Sequence, residues 1–163
     1  MAEHIADLAL GGLLHPASRP PFKDSRMELV RYFRHELDAL GVNIRCGVTV
    51  TGQLLQAQAF DMTLLATGSR PVIPRFAAEL PNMTTAEHIL LEAIKPGHRV
   101  LIIGGGMIGC ELADFLGERG HAVTILAMRP EVAQDMEWRA RHTLMPRPER
   151  YGVTLPTGME VME

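Results

Sequence analysis

The chain has 163 residues, of which 47% are hydrophobic and 21% charged, and its formal net charge at pH 7 is −3. This composition is typical of a folded globular protein and excludes a disordered chain. The small negative charge gives no electrostatic reason to expect nucleic acid or an anionic membrane as a partner.

Targeting and metal-binding signals are missing from the sequence. The N-terminus has no basic region or cleavage site of a secretory signal, and no apolar run approaches the roughly 18 residues of a membrane span. The two cysteines, Cys46 and Cys110, form no C-x-x-C pair and no ligand cluster. We therefore expect a cytoplasmic protein without a metal site or a redox dithiol.

The first 50 residues predict a loop, a helix and a strand. Residues 1–23 are rich in glycine and proline and predict a loop, in which Gly11 and Gly12 mark either a turn near a ligand or a flexible approach to the next helix. A helix is predicted over residues 25–40, with a capping box at its start and Gly41 at its end. The box is Ser25 with Glu28, and the apolar stripe is Met27, Val30, Phe33, Leu37 and Leu40.

Residues 42–50 alternate between apolar and polar side chains, which predicts a half-buried strand and makes Cys46 a packing residue. Thr51 and Gly52 predict a turn, and residues 62–66 predict a buried strand. The following Pro71 and Pro74 favour a stiff, extended connector. The domain boundary is expected there.

The second half of the chain has three further helix signals. Thr84 and Glu87 have capping-box spacing and predict a helix to about Ile94. Asp135 is a plausible N-cap for a later helix that carries Met136, Ala140 and Leu144. Pro146 and Pro148 must end or kink that helix, and residues 153–161 predict a final extended segment.

Residues 99–129 carry the strongest motif. Apolar residues 100–103 precede three glycines at G-x-G-x-x-G spacing, and a helical pattern and a second apolar run, residues 123–126, follow. This order of strand, turn, helix and strand predicts a dinucleotide-binding unit. Gly104 allows a sharp turn, Gly106 allows close approach of a pyrophosphate, and Gly109 allows the helix to pack on the sheet. The helix N-terminus then offers free N–H groups to phosphate.

The remaining residues in and near this motif are expected to have structural rather than chemical roles. Ile108, Leu112, Phe115 and Leu116 are expected to face the sheet, and Gly120 to end the helix. Cys110 lies in the first helical turn, where a thiolate is favoured in principle, but a packing role is the stronger prediction. His98, His121 and His142 lie at element ends and are expected at the surface.

Two stretches together resemble a known family. They are LLATGSRP, residues 64–71, and residues 100–136, which begin VLIIGGGMIGCELA. The chain is similar to the pyridine-nucleotide-disulfide oxidoreductase superfamily, and within it to the C-terminal flavoprotein part of bacterial NADH:flavin oxidoreductases of the 2,4-dienoyl-CoA reductase and trimethylamine dehydrogenase group. The resemblance implies an α/β fold with a Rossmann-like parallel sheet of FAD/NAD(P)-binding type, incomplete at both ends.

The resemblance also implies cofactors and site residues. Residues 1–74 correspond to part of an FAD-binding domain, and residues 75–163 to part of an NAD(P)-binding Rossmann domain. The FAD side takes Gly11, Gly12, Thr67 and Gly68. The NAD(P)H side takes Gly104, Gly105, Gly106, Met107, Ile108 and Gly109. No catalytic acid, base or nucleophile is implied, because the hydride chemistry belongs to the cofactors.

The sequence departs from this family at several points. It contains no glycine loop for the FAD pyrophosphate, no barrel and no cluster cysteines, and Leu13 replaces a family glutamine. We therefore expect that the chain alone does not retain FAD tightly. Ala127 replaces the ribose-binding acid expected about 20 residues after the glycines, and Arg129 lies two residues later. Arg129 either pairs with a 2′-phosphate, which favours NADP(H), or points into solvent.

These features support one leading hypothesis and two alternatives. The leading hypothesis is the NAD(P)H-binding segment of an FAD-dependent oxidoreductase, similar to dienoyl-CoA reductase, that passes hydride from NAD(P)H to flavin. The first alternative is a non-catalytic nucleotide-binding or interaction module whose partner chain supplies missing strands. The second is a degenerate fragment that has no function of its own.

Overall fold

The structure is a computed structural model, and it describes residues 3–6 and 9–159. The chain divides into two compact units, Met1–Ser18 with Asp24–Pro71, and Arg19–Lys23 with Val72–Glu163. Each unit combines helices with a pair of parallel strands. The predicted α/β class with parallel strands is confirmed.

The first unit is built on one parallel strand pair. Its elements are β1 (Glu3–Ala6), α1 (Leu14–Ala17), α2 (Arg26–Ala39), β2 (Asn43–Cys46) and α3 (Gly52–Gln58). The Cα atoms of Glu3 and Asn43 lie opposite each other at the start of the β1–β2 register. The loop predicted over residues 1–23 is therefore wrong in part. Strand β1 exists through pairing with a distant segment, which local composition does not reveal.

Helix α2 confirms the helix predicted over residues 25–40, and Gly41 follows its end with a positive φ of 65°. The predicted capping box is wrong. Ser25 already has helical backbone angles and makes no side-chain cap. The carboxylate of Glu28 instead forms an ion pair with Arg31, one turn along the exposed surface.

Several apolar residues predicted to be covered in this unit are exposed. Val30 of α2 is buried, whereas Phe33 of α2 and Leu40, which follows the helix, are exposed. Cys46 is also exposed, so its predicted packing role is wrong. Residues 62–66 are exposed and lie in no strand, because no described segment hydrogen-bonds to them as a neighbouring strand.

Two local signals in residues 42–58 predict a different structure from the one observed. The strand predicted over residues 42–50 ends at Cys46, because Gly47 adopts a left-handed conformation with φ of 70°. The turn predicted at Thr51 and Gly52 is instead a helix start. The Thr51 hydroxyl accepts a hydrogen bond from the Leu54 N–H at 3.2 Å, which caps α3.

The second unit contains the glycine motif. Its elements are α4 (Arg75–Ala78), α5 (Ala86–Leu90), β3 (Arg99–Ile103), α6 (Met107–Glu118), β4 (Ala122–Leu126), α7 (Trp138–Leu144) and α8 (Pro146–Arg150). Strands β3 and β4 are parallel, with Arg99 opposite Ala122 and Ile103 opposite Leu126. Parallel bridges join Thr124 to Thr154 and Ala127 to Thr157. The predicted order of strand, turn, helix and strand is confirmed, and so is the extended segment after residue 153 in its described part.

Helix α6 is the centre of the hydrophobic core. Every residue from Cys110 to Gly117 is buried. Leu112, Phe115 and Leu116 belong to the core, as predicted, together with Ile125 of β4. Ile108 was expected on the same face but is 60% exposed, because it lies in the first turn of α6, beyond the edge of the core.

Helix ends in this unit differ from the predicted ones by one to four residues. Thr85, not Thr84, caps α5, and the helix ends at Leu90 rather than near Ile94. The carboxylate of Glu137 caps α7 by accepting the N–H groups of Arg139 and Ala140. Asp135 is therefore not the N-cap of that helix.

The two prolines end α7, as predicted. Helix α7 stops at Leu144, and α8 begins at Pro146. Proline is tolerated there because the first N–H groups of a helix have no intrahelical partner in any case. Only Met145, which itself has helical backbone angles, separates the two helices.

Candidate functional site

The glycine turn between β3 and α6 is held in a conformation that requires glycine. Gly104 has φ of +116°, a region that side chains rarely adopt, and its N–H donates to the Leu126 carbonyl at 2.9 Å. A Cβ atom on Gly109 would lie 2.0 Å from the Gly104 carbonyl oxygen. Helix α6 thus approaches the turn so closely that only glycine fits at position 109.

Gly105 is enclosed by residues that follow β4. A Cβ atom on Gly105 would lie 2.7 Å from the Ala127 Cβ and 2.8 Å from the Val132 Cγ1. The Gly105 carbonyl accepts a hydrogen bond from the Ala133 N–H at 2.6 Å. The segment after β4 therefore packs directly on the glycine turn and fixes its shape.

Asp135 supplies a carboxylate to the start of α6. Its Oδ1 accepts a hydrogen bond from the Met107 N–H at 2.8 Å. A Cβ atom on Gly106 would lie 3.0 Å from its Oδ2. Local patterns predicted a cap for the helix that follows Asp135, whereas the contact is with a helix 28 residues earlier. No sequence signal near either residue identifies this pairing.

The side chains at the mouth of the turn are accessible. Met107 is 37% exposed and Ile108 is 60% exposed. Arg129 is exposed, three residues beyond the end of β4. Ala127 is 2% exposed and lies against Gly105, so the position expected for a ribose-binding acid is filled by a small apolar side chain.

Cys110 is a buried packing residue, as predicted. Its side chain is inaccessible to solvent. Burial, together with the nearby negative charge of Asp135, raises the pKa of the Cys110 thiol to about 11. The thiol is therefore protonated at neutral pH and is not a nucleophile.

Two buried carboxylates of α6 form ion pairs with partly buried cations. The two carboxylate oxygens of Asp114 accept from the Arg147 Nε at 3.0 and 2.9 Å. The Arg147 guanidinium also lies 4.4 Å from the centre of the Phe22 ring. Lys23 pairs with the buried Glu111 at 2.6 Å. Sequence patterns missed these pairs because their partners are 33 and 88 residues apart.

The three histidines near the motif, which were expected at the surface, are all at least partly exposed. His98 and His142 are exposed, and His121 is half-buried. The Nδ1 of His121 lies 2.9 Å from the Gly97 carbonyl oxygen, which places the ring on backbone rather than on another titratable group. The geometry gives none of the three a proton-transfer partner among the described residues.

The residues expected on the FAD side are not assembled into one site by the described contacts. Gly11 and Gly12 both have positive φ, and a Cβ on Gly11 would lie 2.8 Å from the Val30 Cγ2. Thr67 and Gly68 lie on an exposed segment. No hydrogen bond among the described residues joins the two pairs.

Residues 3–6 and 9–159 contain neither a candidate metal-binding cluster nor a candidate membrane-spanning helix. No group of three or more histidine, cysteine or acidic side chains there could hold a metal ion. Within the same residues, every helix is too short or too polar to span a bilayer.

The family model for pyridine nucleotide-disulphide oxidoreductases matches residues 51–163, which is most of the chain. The chain belongs to this family, and the resemblance predicted from the glycine and ATG motifs is confirmed.

The chain is also similar to longer proteins. It is 37% identical over 159 residues to an NADH oxidase of Thermoanaerobacter brockii, and the match covers 94% of this chain and 24% of that protein. A 2-naphthoyl-CoA reductase structure has a TM-score of 0.92 at 22% identity and covers 99% of this chain and 25% of its own.

An engineered water-forming NADPH oxidase bound to NADPH has a TM-score of 0.58 at 18% identity, over 100% of this chain and 48% of its own. The two structural matches show the shared fold. The chain spans about a quarter of the length of the NADH oxidase that it matches.

Proposed function

We propose that this chain forms the NAD(P)H-binding part of an FAD-dependent oxidoreductase that passes hydride from NAD(P)H to flavin, in an enzyme similar to dienoyl-CoA reductase. The observation that carries this proposal is the turn between β3 and α6. It has no room for a Cβ atom at Gly105 or Gly109, and it exposes the start of a helix at Met107. A turn of this shape allows a pyrophosphate to approach backbone N–H groups.

The residues proposed to hold NAD(P)H are those of the turn, the start of α6 and the end of β4. They are Gly104, Gly105, Gly106, Met107, Ile108, Gly109 and Arg129. When bound, the nicotinamide supplies a hydride, and the protein contributes binding and orientation. No side chain of this chain is assigned as an acid, a base or a nucleophile.

Fewer features of this chain support FAD binding than support NAD(P)H binding. Gly11, Gly12, Thr67 and Gly68 are proposed to contact FAD, within residues 1–74. The described contacts do not join these two pairs, and the sequence contains no second glycine loop for the FAD pyrophosphate. We therefore expect weak FAD retention by the chain alone, so a flavin absorption spectrum of the purified protein should be nearly featureless above 400 nm.

We propose that the NAD(P)H site prefers NADPH. Ala127 provides no acceptor for a ribose 2′-hydroxyl, and the exposed Arg129 can pair with a 2′-phosphate. A supporting parallel comes from the engineered NADPH oxidase. Its substitutions replace an aspartate by alanine and the next residue by arginine. The same two residue types occur here at positions 127 and 129, but Met128 separates them.

Titration calorimetry of the full chain with NADPH and NADH tests this site. We expect NADPH to bind about tenfold more tightly, the size of one charge-assisted phosphate contact. Arg129→Ala should remove the difference, whereas Arg150→Ala, a change of the same charge at an exposed residue of α8, should keep it. Equal affinities in the wild type, or an unchanged preference in Arg129→Ala, would refute the NADPH assignment. Binding of neither nucleotide would refute the site.

A second candidate is a non-catalytic module that binds a partner chain. Large apolar side chains are exposed along residues 62–73, among them Leu64, Leu65 and Val72 at more than 80%. Such a segment can complete a sheet with a strand of another chain or of a longer protein. NADPH-dependent dye reduction in the presence of added FAD supports the oxidoreductase. Nucleotide binding without dye reduction supports the module.

A further inference from the structure

The N-terminus of α6 already carries an anion from the protein itself. The Asp135 Oδ1 accepts a hydrogen bond from the Met107 N–H at 2.8 Å. The Asp135 Oδ2 would lie 3.0 Å from a Cβ atom built on Gly106. This carboxylate therefore already accepts one of the backbone N–H groups at the helix start, where the proposed function places a dinucleotide pyrophosphate.

The carboxylate is held in place by the segment that carries it. The Ala133 N–H donates to the Gly105 carbonyl at 2.6 Å, and Val132 packs on Gly105. The Arg141 Nε donates to the Val132 carbonyl at 3.1 Å, which ties the segment to α7. The backbone just before Asp135 is thus anchored to the glycine turn on one side and to α7 on the other.

We propose that Asp135 is a positioning residue of the glycine turn that also limits its affinity for dinucleotide phosphate. This inference rests on the proposed function. The hydrogen bond to Met107 orders the start of α6, as an N-cap does. The negative charge occupies the positive end of the helix dipole and opposes a second anion there. The same carboxylate therefore orders the start of α6 and lowers the affinity of the turn for phosphate.

Two variants separate the hydrogen bond from the charge. Asp135→Asn keeps an oxygen acceptor for the Met107 N–H and removes the charge. Asp135→Ala removes both. Glu137→Gln is the matched control, because Glu137 caps α7 by the same kind of contact, two residues away, and its loss changes net charge equally.

Nucleotide affinity reports the charge. In Asp135→Asn we expect NADPH and NADH to bind about three- to tenfold more tightly than in the wild type, by the same factor, with a smaller gain in 0.5 M salt. Glu137→Gln should leave both affinities within about twofold. A gain confined to NADPH, or affinity in Asp135→Asn no higher than in the control, would overturn the inference.

Amide hydrogen exchange of Met107, measured without nucleotide, reports the hydrogen bond. Asp135→Ala should exchange about tenfold faster at this amide, and Asp135→Asn should stay close to the wild type. Unchanged exchange in Asp135→Ala would overturn the positioning role. If no variant binds either nucleotide, the proposed function and the charge effect both fail. If the wild type binds and Asp135→Asn does not differ from it, only this inference fails.

Discussion

Replacement of Gly109 by alanine tests the close approach of α6 to β3. The new Cβ would lie 2.0 Å from the Gly104 carbonyl oxygen, whereas contacts of real Cβ atoms stay above 3.0 Å. The helix or the turn must therefore move by at least about 1 Å. The atom in the way is backbone, and the Gly104 N–H is itself hydrogen-bonded to β4, so the turn cannot yield freely.

The magnitude follows from two opposing effects. Overpacking of a well-packed core costs about 3 kcal/mol when backbone must move. Alanine is favoured over glycine inside a helix by about 1 kcal/mol. We expect a net loss of about 2 kcal/mol in the free energy of unfolding, or a midpoint lower by about 6 °C, and loss of nucleotide binding.

Thermal unfolding followed by circular dichroism measures this loss, and two further glycines calibrate it. Gly97 has ordinary backbone angles and no atom near its hypothetical Cβ, so Gly97→Ala should be neutral or stabilising by up to about 1 kcal/mol. Gly105→Ala meets side chains of Ala127 and Val132 rather than backbone, and should fall between the other two. A Gly109→Ala variant as stable as Gly97→Ala would refute the reasoning.

Two further predictions concern buried groups. Because Cys110 is buried and its pKa is raised to about 11, a thiol reagent at pH 8 should modify only the exposed Cys46 in the native protein. In 6 M guanidinium the reagent should modify both cysteines. Fast reaction of two thiols in the native protein would contradict this prediction. In the Asp114–Arg147 pair, Arg147→Met should destabilise the protein by about 3 kcal/mol and Asp114→Asn by less. The reason is that Asp114 is only 1% exposed, whereas Arg147 is 18% exposed and retains Glu118 at 3.4 Å. Chemical denaturation of both variants gives the order, and an equal or reversed cost would refute the asymmetry.

The glycine motif shows what local sequence can predict well. Residues 99–126 form strand, turn, helix and strand as expected, and Gly109 packs against the turn for the reason that its spacing suggested. These features depend on apolar periodicity and on backbone sterics within a few residues. Both are visible in the sequence itself.

Single helix caps were predicted less well. Ser25 and Thr84 both have the right residue type and spacing, yet neither caps a helix, and Thr85 and Glu137 do. Capping residue types recur every few positions along a chain. The one that caps is chosen by where the backbone leaves the helical conformation, and spacing alone cannot fix that point.

The sequence by itself determined the α/β class, the β3–α6–β4 unit and the family, because these follow from local periodicity and from a glycine motif. Only the tertiary structure decided that Cys46 is exposed, that residues 62–66 pair with no described strand, and that Asp135 caps α6. Each of these depends on whether a distant segment lies alongside, which the identity of neighbouring residues does not encode. The contact between Asp135 and Met107 joins residues 28 positions apart, and the fold of the chain after β4 brings them together.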